Sequence, residues 1–366
     1  MNVISLNLDT RILDPQSAIA ERERAFKDYV QKYTLIIPYS HDRETSLTES
    51  ITAYGIGGST KLIQLVRIYR KACSLARKSH YDVMTIQDTY YLAFIGWLIA
   101  RKYNLGFEIQ VHGLEKFSGM RAFLAEKVIP KADAIRAASP RLKDLLMTTF
   151  SVPEEKIAVA PLFFEPAPRS LRTQLTSRII SQKKNDFVFL TVARLVPVKN
   201  ITLQLNTFKN LVVRYPDTQL WIVGDGPERA LLERNAKELK ISDRVVFWGW
   251  QSNPSAFYAH ADSYLLSSDS EGWGLAIFEA AAYELAILMT DVGCAGEFIH
   301  NGTNGLVVPP RDPKALETGM IILRTDAQLR ESLGQAAKNS LALLPSKEKL
   351  MQWYVSSWEK ASLAHA

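Results

Sequence analysis

The stretch SYLLSSDSEGWGLAIFEAAAYELAILMT, Ser263 to Thr290, decides the fold. It reads as a strand over Ser263–Leu266, a tight loop on Glu271-Gly-Trp-Gly274, a helix over Gly274–Leu285 and a strand over Ile287–Thr290. The helix shows in Leu275, Phe278, Ala281, Ala282 and Leu285, which recur at helical spacing. Two apolar strands joined through a helix describe a parallel pair covered on both faces. Glu271 then stands beyond the carboxyl end of a parallel strand, and Glu279 one to two turns into the next helix. Ligands of open α/β sheets bind at that edge. On these residues alone three readings stay open: helix-start charges favoured by the macrodipole, a hydrolytic acid/base pair, or two hands on one ligand.

The same alternation runs through the chain. In the second half, strands are expected at Phe187–Val192, Gln219–Val223, Val245–Trp248 and Leu306–Val308, with helices at Thr202–Arg214 and Pro227–Leu239. In the first half, the strand pattern recurs at Val3–Leu6, Leu35–Pro38, Val83–Ile86, Phe107–Val111, Ala134–Ala137 and Ile157–Ala160. The class is therefore α/β, with two Rossmann-like, doubly wound domains. Prolines and a basic, apolar-poor stretch interrupt the pattern after Pro161. The expected division is 1–165, a linker at 166–186, a second domain at 187–345 and a final helix at 346–366. That last segment carries Leu350, Trp353, Tyr354, Val355 and Trp358, and so apolar a helix must pack on something, here expected to be the first domain.

Composition narrows the function. At 366 residues, 47% hydrophobic and 22% charged, the chain suits a globular protein of two domains. Cys73 and Cys294 stand far apart without metal spacing, which points to a reducing, cytoplasmic compartment. Met1 to Asp9 lacks the basic start and long apolar core of a signal peptide. Tyr90 to Ala100 is too short to span about 30 Å of hydrocarbon and reads as a buried helix closed by Arg101 and Lys102. A net charge of +6 and a pI near 9.1 favour anionic ligands or an anionic membrane surface. No basic stripe interleaved with aromatics is present, which argues against nucleic acid as a partner.

Further loops sit at strand ends. Arg194 and Lys199, in TVARLVPVKN, follow the first strand of the second domain, where two cations can clamp a diphosphate. IVGDGPER turns on Gly224 and Gly226 and is expected to open a helix with Pro227 first, though it lacks the third glycine of a dinucleotide fingerprint. VGCAGEFI is expected to feed a helix that starts at Glu297. In the first domain His112 follows a strand in QVHGLE, and Ser139 is an N-cap candidate.

Taken in order, Arg194/Lys199, VGDGPE, WGW, EGWGLAIFEA and NGLVVPP resemble the retaining glycosyltransferases of family 4. That resemblance is specific over Phe187 to about Leu341. It implies the GT-B fold, two facing Rossmann-like domains with the C-terminal helix packing back on the first, and a nucleotide-sugar donor. By resemblance Glu279 binds the ribose, Glu271 faces the donor sugar, and Arg194 and Lys199 hold the diphosphate. The backbone of Trp273, Gly274, Leu275 and Ala276 completes the donor cradle. Gly224 lines the pocket, and main chain from Gly249 to Ser252 meets the nucleobase. His112 matches a histidine the family aims at the donor sugar near the scissile bond.

Two departures stand out. Asn7 to Arg11 replaces a glycine-rich loop, the nearest paired glycines being Gly57 and Gly58, and Ala193-Arg194 replaces Gly-Arg. The expected activity is transfer of a hexose from a UDP- or GDP-sugar to a glycan or lipid-linked acceptor, without cofactor or metal. A hydrolase pair, a nucleotide-sugar epimerase and a silent nucleotide-sugar binding protein are the alternatives. Lys61 to Lys78 has no acidic residue. Its apolar face is expected at Leu62, Leu65, Val66, Tyr69, Cys73 and Ala76, with Arg67, Arg70, Lys71, Arg77 and Lys78 opposite. It reads either as a solvated face or as a peripheral docking site on the anionic inner membrane face.

Overall fold

Short runs of β-branched and aliphatic residues become strands wherever helices can cover both of their faces, and the chain supplies two such sets. A computed structural model describes residues 1–113, 119–165 and 177–365. It forms two units, Met1–Leu162 with Pro345–Ala366, and Phe163–Leu344. The linker expected at 166–186 lies outside the described residues as far as 176, and Ser177–Lys183 is a helix.

The first unit holds β1 (Asn2–Leu6), β2 (Lys32–Pro38), β3 (Arg43–Ser46), β4 (Ile51–Ile56), β5 (Val83–Ile86), β6 (Gly106–Val111), β7 (Ala134–Ala137) and β8 (Ile157–Val159). They form one sheet in the order β3-β4-β2-β1-β5-β6-β7-β8, parallel except for the β3–β4 pair. Val3 is partnered by Tyr33 on one side and Val83 on the other, so the strand order reverses at β1. The sequence pattern missed β3 and β4. β3 is a polar edge strand, and β4 carries Gly55 in its interior, so neither shows a clean apolar run.

The last helix, Lys347–Leu363, belongs to this unit and packs on β6 and β7. Trp358 is fully buried, with its ring against Phe26 and Tyr33. Its Nε1 donates to Glu108 Oε2 at 3.2 Å, and Ser357 Oγ donates to Glu108 Oε1 at 2.8 Å. Removing a buried aromatic of this kind costs about 3–5 kcal/mol.

The second unit holds β9 (Phe187–Val192), β10 (Thr218–Val223), β11 (Val245–Gly249), β12 (Ser263–Leu266), β13 (Ala286–Thr290) and β14 (Leu306–Val308). All pairs are parallel, in the order β11-β10-β9-β12-β13-β14. The order reverses between β9 and β12, which opens a crevice at their carboxyl ends.

Three local expectations are corrected. Arg229 N donates to Gly226 O, so Pro227 and Glu228 lie in a turn and the helix runs Arg229–Glu238. Cys294 O accepts from Glu297 and Phe298 N, and Ile299 O accepts from Gly296 N, so turns stand where a helix was expected at Glu297. Helix Lys61–Lys78 buries Ile68, Ala72 and Cys73, whereas Leu62, Ile63 and Val66 remain exposed. Ser139 does cap its helix, accepting from Leu142 N. No helix among the described residues is long and apolar enough to cross a membrane.

Candidate functional site

At the crevice of the second unit, two loops are stitched together before any ligand is considered. After β9 the chain makes a tight turn, Pro197–Lys199, and Asn200 caps helix Ile201–Arg214 through a bond from Leu203 N. The loop after β12 bonds back to it: Asp269 N donates to Val198 O at 2.8 Å, and Ser267 Oγ donates to Lys199 O and Asn200 O. Asn200 Nδ2 donates to Asp269 Oδ1, and Arg311 Nη2 to Asp269 Oδ2. These bonds place Lys199 Nζ 2.5 Å from Glu271 Oε1, with both side chains largely buried. Ser268 Oγ donates to the same oxygen at 2.7 Å, and Thr290 Oγ1 donates to Ser268 O.

Glycine is required where backbones touch. A Cβ on Gly224 would lie 1.8 Å from Ala193 O, and its φ of +132° already disfavours side chains. Gly293, at φ +58°, would bring a Cβ within 2.8 Å of Glu271 Cβ and 3.0 Å of Trp273 O. Gly293, Ser268, Thr290 and Asp269 therefore shape the site, yet sequence reasoning gave none of them a role in it. The one available signal was the small-residue loop of VGCAGEFI.

The opening stretch forms the other wall. Trp273 is buried and stacks on Phe278, which leaves its main chain rather than its indole for a ligand. Gly274 precedes helix Leu275–Ala282, and among the described residues no side chain caps it. The first-turn N–H groups of such a helix attract anions. Glu279 lies inside this helix, where Tyr258 OH donates to its Oε2 at 2.6 Å. Burial raises the Glu279 pKa, against the lowering effect of the Tyr258 bond. Tyr264 senses both acids: burial, then Glu279, then Glu271 raise its pKa, and its OH donates to Val192 O.

Arg194, Lys199, Gly224, Gly249, Glu271, the backbone from Trp273 to Ala276, and Glu279 thus occupy the carboxyl-end region of one sheet. Arg194 is exposed, and no described residue bonds its guanidinium. Gly249 ends β11 and accepts from Gly224 N at 2.8 Å.

His112 belongs to the first unit and follows β6. Gln87 Nε2 lies 3.1 Å from its Nδ1. Burial first, then the Arg136 and Arg22 cations, lower its pKa to about 3, so the ring is neutral at physiological pH. Among the described residues no group of three or more histidine, cysteine or acidic side chains is placed to hold a metal.

Two family models match the chain: glycosyl transferases group 1 over residues 174–340, and glycosyltransferase family 4 over 34–167. The chain belongs to the group 1, family 4-like glycosyltransferases. This family 4-like chain is 30% identical over 171 residues to N-acetyl-alpha-D-glucosaminyl L-malate synthase of Bacillus anthracis, covering 47% of this chain and 45% of that protein. It is 24% identical to alpha-monoglucosyldiacylglycerol synthase of Acholeplasma laidlawii over 82% of this chain and 80% of the relative. The chain spans about half the length of the first curated relatives it matches (45%, 48% and 54%). Its GT-B fold class appears in HepE of Anabaena, solved in complex with UDP and glucose, at TM-score 0.80. That likeness covers 98% of this chain and 99% of HepE at 16% identity, and it speaks to the fold alone.

The raised pKa of Glu279 gives a test without ligand. Its protonated form is favoured in the folded state, so that contribution is complete below the ordinary 4.5 and is lost as pH rises through the folded value. Glu279→Gln removes the titration while keeping the shape. At pH 7 the variant should be at least as stable as the parent, with a flatter stability profile from pH 4.5 to 7. Urea midpoints across that range check it, and a variant clearly less stable at pH 7 would contradict the burial penalty.

Proposed function

We propose that this chain transfers a hexose from a nucleoside diphosphate sugar, UDP- or GDP-linked, to an acceptor hydroxyl with retention of anomeric configuration. One observation carries the reading: Lys199 and Glu271 meet at the β9/β12 switch point beside an uncapped helix N-terminus. Lys199 has three donors and uses one on Glu271, so the others can meet a diphosphate without breaking the pair. Arg194 and the helix N–H groups add to that clamp and stabilise the leaving diphosphate. The leaving phosphate takes the acceptor proton during front-side attack.

Glu279 binds the ribose hydroxyls and Glu271 the donor-sugar hydroxyls, and His112 is the first unit's candidate for the chemical step. A hydrolase pair fits the geometry less well. Glu271 accepts from both Lys199 and Ser268, the setting of a fixed acceptor rather than of an acid catalyst. The cationic clamp does the work a divalent ion does elsewhere, so no metal is needed.

The acceptor is a glycan or lipid-linked sugar, met at the cytoplasmic face of an anionic membrane. Supporting this, Leu62 is 72% exposed on helix Lys61–Lys78 next to the exposed Lys61, and Ile63, Val66 and Arg70 are exposed on the same helix. Met120 and Phe123 are exposed on helix Met120–Val128, which packs on Tyr91–Tyr103, itself packed on Lys61–Lys78.

Glu279→Ala should weaken both the bare nucleoside diphosphate and the sugar donor by roughly ten- to a hundredfold, from about 1.5–3 kcal/mol of lost charged hydrogen bonds. Glu271→Ala and His112→Ala should leave the nucleotide affinity nearly intact and depress turnover. Calorimetric titration with the bare nucleotide decides it: equal affinities for the two Glu variants would sink the division of labour.

Turnover should persist in EDTA. Complete loss with EDTA, restored by manganese, would contradict the metal-free clamp.

Arg67 bonds Asp42 and Gly57 O, and Lys71 lies over the Tyr54 ring, so both already serve the fold. The docking test therefore uses Leu62→Asp with Arg70→Glu. Co-sedimentation with anionic vesicles should fall by about 1 kcal/mol per reversed charge, and more for the lost leucine. Binding that is unchanged by the double substitution, or absent in the parent, would leave the helix a solvated face.

A further inference from the structure

Among the described residues the first unit has its own switch point, between β1 and β5, and a cavity lies there. Asn7 follows β1, Gln87 follows β5 and His112 follows β6, and all three line a space of about 40 Å³. Arg136 reaches it from β7 and Arg22 from helix Ala18–Arg24. At roughly 10–15 Å³ of such volume per water, it holds about three waters or one small planar group.

Arg136 is the anomaly. It is only 5% exposed, and no described residue accepts a hydrogen bond from its guanidinium. Its Nε is 3.6 Å from Glu108 Oε1, beyond bonding distance. Glu108 is already engaged: Ser357 takes one oxygen, and Thr85 with Trp358 takes the other. The Tyr354 ring lies 4.0 Å from the guanidinium carbon and can cover its face, but not satisfy its in-plane donors. Nη1 is buried without a partner, and so is Gln87 Oε1 on the cavity wall. The Arg22 side chain likewise makes no hydrogen bond to a described residue. A desolvated guanidinium left with open donors is costly unless something accepts from it.

Glu23 lines the cavity too; burial raises its pKa, against the lowering effects of Arg22, a Tyr33 hydrogen bond and Arg136. His112 is neutral there. The two arginines thus face Glu108, whose oxygens other donors already engage, and Glu23, and Arg22 also acts on Asp9.

We propose that this cavity seats a carboxylate carried by the acceptor, with Arg136 and Arg22 as its donors. The planar fork of arginine matches the two coplanar oxygens of a carboxylate, and a cavity of about 40 Å³ has room for one. His112, the first unit's candidate for the chemical step, lines the same space. Calling the ligand the acceptor rests on the glycosyltransferase reading; the carboxylate site does not.

Thermal shift on the full chain at matched ionic strength tests it with succinate, its neutral diamide, inorganic phosphate and sodium chloride. UDP and GDP run in parallel. Succinate should raise the midpoint, and the diamide, phosphate and chloride should not. Arg22→Gln removes a half-exposed side chain with no hydrogen bond to lose, so it should fold. It should need at least tenfold more succinate for the same shift, with its nucleotide response unchanged. Arg136→Lys should lose the succinate response if it folds.

No succinate shift in the parent would leave the cavity water-filled and overturn the proposal. So would an equal shift by phosphate, or a full succinate response in Arg22→Gln. A nucleotide shift without a succinate shift would sink this site alone, and absence of any nucleotide shift would sink the transferase reading instead.

Discussion

Glu108 is fully buried in the middle of β6, and the first unit is organised around it. An isolated buried carboxylate costs several kcal/mol, so it must find donors. Thr85 comes from the neighbouring strand, but Ser357 and Trp358 come from 249 and 250 residues further along the chain. The unit that starts at Met1 is therefore completed only by the last helix. The same helix brings Met351, Tyr354 and Trp358 into one apolar cluster with Phe26, Tyr33 and Val83. Polar satisfaction fixes where the helix sits, and apolar burial supplies most of the stabilisation that holds it there.

The two sheets solve different problems at their reversal points. In the second unit the loop charges satisfy one another: Lys199 with Glu271, and Asp269 with Asn200 and Arg311. Few donors are wasted, and the two loops are bonded to each other without a ligand. In the first unit the charges under the edge are left open, with Arg136 desolvated and underused. A self-satisfied edge suits a ligand that adds bonds to an existing frame. An unsatisfied one needs its ligand, or water, to close the account.

Much of this was legible because parallel strands write themselves as apolar runs. The six strands of the second unit fall within a residue of their expected bounds, and Glu271 and Glu279 fall on the expected loop and helix. What escaped depends on partners that the pattern does not carry. Arg43–Ser46 becomes a strand only because β4 lies beside it. Helix Lys61–Lys78 has apolar residues on more than one face, and tertiary packing selected Ile68 and Ala72 over Leu62 and Val66. Arg136 sits in a strand whose other residues are apolar, and a single-sequence reading passes over a cation there. The Lys199–Glu271 contact joins residues that were assigned separate roles, since spacing along a chain does not reveal which loops close on each other.

That contact also alters how the proposed diphosphate clamp would work. A lysine paired with a glutamate contributes little net field, so Lys199 cannot by itself attract a diphosphate from a distance. Long-range attraction has to come from Arg194, exposed and unpaired among the described residues, and from the uncapped start of helix Leu275–Ala282. Lys199 serves instead at short range, through the donors that Glu271 leaves unused. Glu271, held by Lys199 and Ser268 and backed by Gly293, cannot easily turn away from whatever hydroxyl it meets. An acceptor fixed in that way discriminates between hydroxyl configurations, because a misplaced hydroxyl would leave it desolvated and short of a donor. On the proposed reading, selectivity for the sugar therefore lives in the same ion pair that holds the two loops together.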